Sequence, residues 1–88
     1  MSPGASLKLI GHLDDTQAKA NGRAWRDENS ERAISASASR ASAVRQALTQ
    51  RYSVNEESIE VSGEGWNKPL GNDPVANRRV EVKIFTLE

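Results

Sequence analysis

The sequence predicts an α+β fold, a two-layer sandwich in which a mixed sheet is covered on one face by helices. Residues 80–85, VEVKIF, alternate strictly, with Val80, Val82 and Ile84 on one face and Glu81 and Lys83 on the other. IEVSG repeats the pattern with Ile59 and Val61 on one side. Between them in composition stands ISASASRASAVRQALTQRY, where Ile34, Ala38, Ala41, Val44, Leu48 and Tyr52 recur at steps of three and four, the stripe of a helix. Strands and a helix that are each apolar on one face bury those faces against one another as two layers.

Taken in order, LKLI at Leu7–Ile10 is a short apolar segment that stops at Gly11, a strand ending in a turn. GHLDD follows at the strand end, where sheets that alternate with helices commonly place ligand groups. Residues 16–33 are polar, with one glycine and an isolated Trp25, and read as a loop carrying a short helix near Ala24–Arg32. The striped helix then runs from Ile34 to Tyr52, with Ser35 or Ser37 as its cap and Arg45 interrupting the stripe. Its small Ala and Ser residues allow close approach to a sheet. Residues 53–58 are a loop, 59–63 the second strand, and GEGWNKPLGNDPVAN a turn-rich connector before the last strand.

With 88 residues the chain is a single domain, spanning 1–88, near the size at which one apolar core barely suffices. Twelve basic residues balance twelve acidic ones, so no global field draws the chain to nucleic acid or an anionic membrane. There is no cysteine, which excludes thiol chemistry and thiolate metal sites. No run approaches the roughly 20 apolar residues of a membrane span, and the opening MSPGAS has no signal-like apolar region. A secreted home implies a targeting signal upstream that has been removed. His12 is the only histidine and no G-x-S-x-G is present, so the chain is expected not to be an enzyme. His12, Asp14 and Asp15 are too few for a metal site, and no cofactor is expected. Arg78 and Arg79 lack the basic surroundings and aromatics of a nucleic-acid interface.

Three segments are candidates for recognition. In Gly11–Asp15, a carboxylate at a strand end beside a glycine can accept hydrogen bonds from an ammonium; the plain alternative is a solvated turn. Arg40 lies at the edge of the helical stripe, where its stem is covered while its fork faces out; the plain alternative is a surface residue. Arg78 and Arg79 open an alternating strand and point to opposite faces, so one of them faces any given site.

In this order, the motifs GHLD at Gly11–Asp14, ASASRA at Ala36–Ala41, GEGWNKP at Gly63–Pro69 and NRRVE at Asn77–Glu81 resemble the OmpA-like peptidoglycan-binding family, over Leu7–Ile84. The resemblance implies non-covalent binding of the diaminopimelate of the peptidoglycan stem peptide. Asp14, Arg40 and Arg78 are then the ligand-binding residues. It implies, further, a periplasmic domain of an outer-membrane or membrane-anchored cell-envelope protein, anchoring it to the cell wall while not itself embedded in a membrane. The chain departs from the family pattern at Leu13, where a Thr is usual, at Ala33, where an Asn is usual, and at Ala36, where a Leu is usual. The stretch 16–33 is longer than its family counterpart, an insert with room for an extra helix anchored by Trp25. The strand and helix that usually precede GH-x-D have no counterpart before Leu7. Either the front of the domain has been cut away or the insert replaces the missing helix. A sheet shortened in this way has an edge open for pairing with another chain, a route to a homo-oligomer. The rival reading is a protein–protein interaction module of the same fold that has lost peptidoglycan binding.

Overall fold

The protein was analysed as a computed structural model that describes residues 5–86; the opening MSPG and residues 87–88 lie outside the described residues. The elements are β1 (Ala5–Gly11), α1 (Thr16–Asn21), α2 (Arg23–Tyr52), a 3₁₀ turn (Glu56–Ser58), β2 (Ile59–Gly63), α3 (Pro74–Asn77) and β3 (Val80–Thr86). The sheet has the order β2-β1-β3. β1 and β2 run parallel with Leu9 opposite Val61 and Gly11 opposite Gly63. β3 returns antiparallel to β1 with Leu9 opposite Val82 and Gly11 opposite Val80. The mixed sheet with helices against it is the expected α+β architecture.

Two details of the sequence reading are corrected. Residues 16–33 are not a loop with a short helix: they form α1 and the first turns of α2, which is continuous for 30 residues. The physical reason is that this polar stretch contains no proline and holds four Ala, three Arg, two Glu and one Gln, all good helix formers. Gly22, at φ 90°, makes the only break, a conformation that favours glycine. Ser35 and Ser37 therefore sit inside the helix and do not cap it; Gly22 occupies the cap position. At about 1.5 Å per residue, α2 spans about 45 Å and sets the 46 Å length of the molecule.

The buried face of α2 is also shifted from the expected stripe. Ala33, Ser37 and Ala41 are its buried residues, one per turn, while Ile34 and Tyr52 at the ends of the stripe are exposed. Small residues win this face because the helix lies almost on the strand ends. A Cβ added to Gly11 would stand 1.8 Å from the backbone oxygen of Ser37, and one added to Gly63 would stand 2.2 Å from that of Ile34. Two apolar clusters flank this close contact. Leu9, Ala41 and Ile59 form one, with Leu7, Val44, Leu48, Val61 and Val80 against it. Ala18, Ala33 and Trp66 form the other, with Leu13 and Trp25 against it. α2 covers β1 and β2 but not the outer half of β3, so Val82 and Ile84 are 54% and 68% exposed although they share the helix-side face with Leu9.

Candidate functional site

The segment after β1 is pinned from both sides by backbone hydrogen bonds. His12 N donates to Arg79 O at 2.8 Å, and Leu13 N donates to Gly65 O at 2.7 Å. These bonds tie the GHLD turn to the residue before β3 and to the loop after β2. The next residue, Asp14, is thereby presented at the C-terminal end of the sheet. Its Oδ1 accepts from Thr16 N at 3.1 Å, a turn-forming bond that orients the carboxylate as α1 begins.

Arg78 reaches the same carboxylate, with Nε 3.4 Å from Asp14 Oδ2. Both side chains keep contact with solvent, at 47% exposure for Arg78 and 23% for Asp14. Partial burial works to raise the Asp14 pKa, but the hydrogen bonds from Thr16 and the charge of Arg78 outweigh it, and the net displacement is downward. Asp14 is thus an ionised acceptor at neutral pH. Arg40 stands exposed on α2, and its guanidinium makes no hydrogen bond or ion pair among the described residues.

Arg79 turns away from its neighbour. Its Nη2 donates to Lys68 O at 2.9 Å and to Glu81 Oε1 at 2.7 Å. The same Glu81 oxygen lies 2.8 Å from Nε2 of the buried His12, a contact that becomes an ion pair only when the imidazole is protonated. Burial is the main cause that lowers the His12 pKa, Arg79 adds to it, and Glu81 and Glu64 oppose it. Glu81 is also displaced downward, chiefly by its hydrogen bond from Arg79. The two arginines therefore have separate tasks: Arg78 faces Asp14, and Arg79 fastens the start of β3.

Several residues that hold the site together carry no sequence signal of that role. Ser37 Oγ, fully buried, accepts from Gly65 N at 2.9 Å while donating to Ile34 O. Asn77, at 1% exposure, accepts from Leu70 N and donates to Gly71 O, folding the connector back before Arg78. Trp66 packs near Trp25 with ring centroids 5.6 Å apart, so the start of α2 is docked on the loop after β2. Beside this pair lies a hollow of about 280 Å³ lined by Leu13, Trp25, Arg32, Ala33, Ala36 and Trp66 among others. Leu13, Ala33 and Ala36 thus all line this one hollow. Among the described residues no group of His, Cys, Asp and Glu is placed to hold a metal ion.

The sequence model of the OmpA family matches residues 3–83, which includes both the turn bearing Asp14 and the first half of β3 behind Arg78. This chain belongs to the OmpA family. OmpA-family domains are in general peptidoglycan-binding modules without catalytic function, typical of periplasmic envelope proteins. The match runs through residues 16–33, so α1 and the first turns of α2 lie inside the OmpA-family span. Among curated proteins none matches the chain. No helix among the described residues is long and apolar enough to cross a membrane; α2 has the length but is polar along it.

Proposed function

We propose that this OmpA-family domain binds peptidoglycan non-covalently through the diaminopimelate of the stem peptide and anchors a periplasmic cell-envelope protein to the wall. The observation that carries the reading is the part-exposed Asp14–Arg78 pair at the end of the sheet. Diaminopimelate presents an ammonium beside a carboxylate. Asp14, held ionised, takes the ammonium, and the planar forks of Arg78 and Arg40 take the carboxylate. In the free domain Asp14 and Arg78 satisfy one another, so a zwitterion replaces one charge pair with two and leaves no charge unmatched. Each charge-assisted hydrogen bond contributes about 1.5–3 kcal/mol net, which gives weak binding per site and firm attachment through many copies on a polymer.

The experiment is titration of the labelled domain with a diaminopimelate-containing muropeptide. Amide shifts at Asp14, Arg40 and Arg78 that vanish in Asp14→Ala support the reading; no shifts at millimolar ligand refute it. Binding to cell-wall sacculi falls with added salt, because a part-exposed ion-pair site is screened. The hollow lined by Leu13, Ala33 and Trp25 favours a second reading, a protein interaction module of the same fold, for which an apolar wall in place of polar side chains suits a protein partner better than a sugar-peptide.

A further inference from the structure

The helix-free face of the sheet carries a buried imidazole that the ligand reading leaves without a task. Ile10 and His12 point to this face, and Glu81 and Lys83 of β3 share it. His12 is 2% exposed, yet it lines a hollow of about 270 Å³ together with Ile10, Glu64, Lys68, Glu81 and Lys83. Protons therefore reach the ring although it is packed. Arg79 Nη2 bonds the same Glu81 oxygen that faces His12 Nε2, at 2.7 and 2.8 Å respectively. One carboxylate oxygen thus faces two nitrogen groups. The charged groups around the imidazole are Arg79, Glu81 and Lys83 at β3 and Glu64 and Lys68 in the loop after β2.

This cluster is joined directly to the recognition pair. The bond from His12 N to Arg79 O carries the β1–β3 pairing one residue beyond Gly11 and Val80. Asp14 follows His12 by two residues, and Arg78 immediately precedes Arg79. With His12 neutral, Arg79 spans Glu81 and Lys68 O and so holds the chain that presents Arg78 to Asp14. A proton on His12 changes the balance. Two cations then compete for one oxygen and repel each other in a partly buried cluster, where screening is weak. The imidazole, with a side chain 3% exposed, has no room to move, whereas the longer Arg79 side chain is 17% exposed and can withdraw. Arg79 Nε and Nη1 have no partner among the described residues, so its hold depends on the bonds of Nη2.

We infer that His12 is a positioning residue and a proton switch for the Asp14–Arg78 pair: once protonated it takes Glu81 from Arg79, Arg78 leaves Asp14, and the domain releases a zwitterionic ligand in weak acid. For its ligand the switch rests on the proposed diaminopimelate reading; the motion itself belongs to the free domain. Burial, with Arg79 second, holds the His12 pKa below 6.5 against Glu81 and Glu64, so the switch turns below that value. Asp14 and Glu81 are both displaced downward, so loss of their own charges comes later as pH falls.

Nuclear magnetic resonance of the free domain from about pH 7.5 to about pH 4.5 tests the switch, and the single histidine makes the ring signal unambiguous. The expected result is that the Arg78 Nε–H and the Asp14 and Thr16 amides shift with the midpoint of the His12 ring, while the core amides of Val44 and Leu48 do not. In a second arm, affinity for a diaminopimelate-containing muropeptide falls by about tenfold through the same midpoint, and by reciprocity the bound muropeptide moves that midpoint down. His12→Gln removes the step from both arms. Glu81→Gln keeps an oxygen for Arg79 but removes a charge that favours protonation, so the His12 midpoint moves to lower pH. A ring that titrates without a response at Arg78 and Asp14, a ring that does not titrate in this range, or a step that persists in His12→Gln overturns the switch. An affinity that stays flat or rises through the midpoint also overturns it. Absence of binding at every pH refutes the wall reading instead, and the first arm still decides the switch.

Discussion

Arg78 Nε stands 3.4 Å from Asp14 Oδ2, which joins the turn after the first strand to the residue that introduces the last strand. The pair is part-exposed, so its contribution to stability is small, about 0–1 kcal/mol. Its importance lies in what it prepares: an ionised acceptor and a planar donor side by side, each with a solvent-facing side. Removing one charge therefore affects recognition far more than folding.

Asp14→Asn keeps an oxygen to accept from Thr16 N and removes the charge. The expected outcome is a loss of muropeptide affinity by about 10–100-fold, the equivalent of one charge-assisted hydrogen bond of about 1.5–3 kcal/mol, with a stability change within about 1 kcal/mol. Calorimetric titration and urea unfolding of the same sample separate the two.

Gly11→Ala tests the close contact that positions the site. The new Cβ would stand 1.8 Å from Ser37 O, a backbone atom that moves only with α2. Overpacking of this kind costs at least about 1–3 kcal/mol and pushes the helix off the strand ends. Urea unfolding should report that loss, while Gly22→Ala, where nothing lies within 4 Å but φ is 90°, reports backbone strain alone.

Trp25→Ala removes the ring that docks the start of α2 on Trp66. The aromatic pair contributes about 0.5–1.5 kcal/mol beyond area burial. The expected result is fraying of α1 and the first turns of α2, read as reduced helical circular dichroism, with the fluorescence of Trp66 shifting red as it meets water. Unchanged helicity would mean that residues 16–33 stand without this anchor.

Acid should destabilise the domain in two steps. His12 has a folded pKa below its ordinary 6.5, so the unfolded chain takes up a proton first; stability is full above about 6.5 and declines as pH falls from there to the folded value. Asp14 and Glu81, both displaced downward, contribute stability above their ordinary values, and this is lost as pH falls through the folded ones. Thermal melts across pH check the order, and His12→Gln should flatten the upper step while leaving the lower one.

The strands were legible because a period of two is a local property: residues 59–63 and the alternation in 80–85 appear as read. The helix was legible in its second half, where Val44 and Leu48 pack on the core, and misread in its first half. There the buried residues are Ala33 and Ser37, and no apolar period announces a helix whose partner is a pair of glycines. Of the site, the Asp14 turn and the paired arginines were visible as motifs. The buried Ser37 and Asn77 were not, since a polar residue with two backbone partners looks the same in sequence as one facing water.

By itself the sequence determined the class of fold, the order of its three strands with the main helix between them, and its family, because alternation, helical spacing and four ordered motifs are all written in neighbouring residues. Only the tertiary structure decided that Arg78 is the arginine that meets Asp14 while Arg79 serves Glu81, and that the helix-side face of β3 stays open. Those outcomes depend on ladder register and on how closely α2 can approach Gly11 and Gly63, relations between segments far apart in the chain that no local pattern encodes.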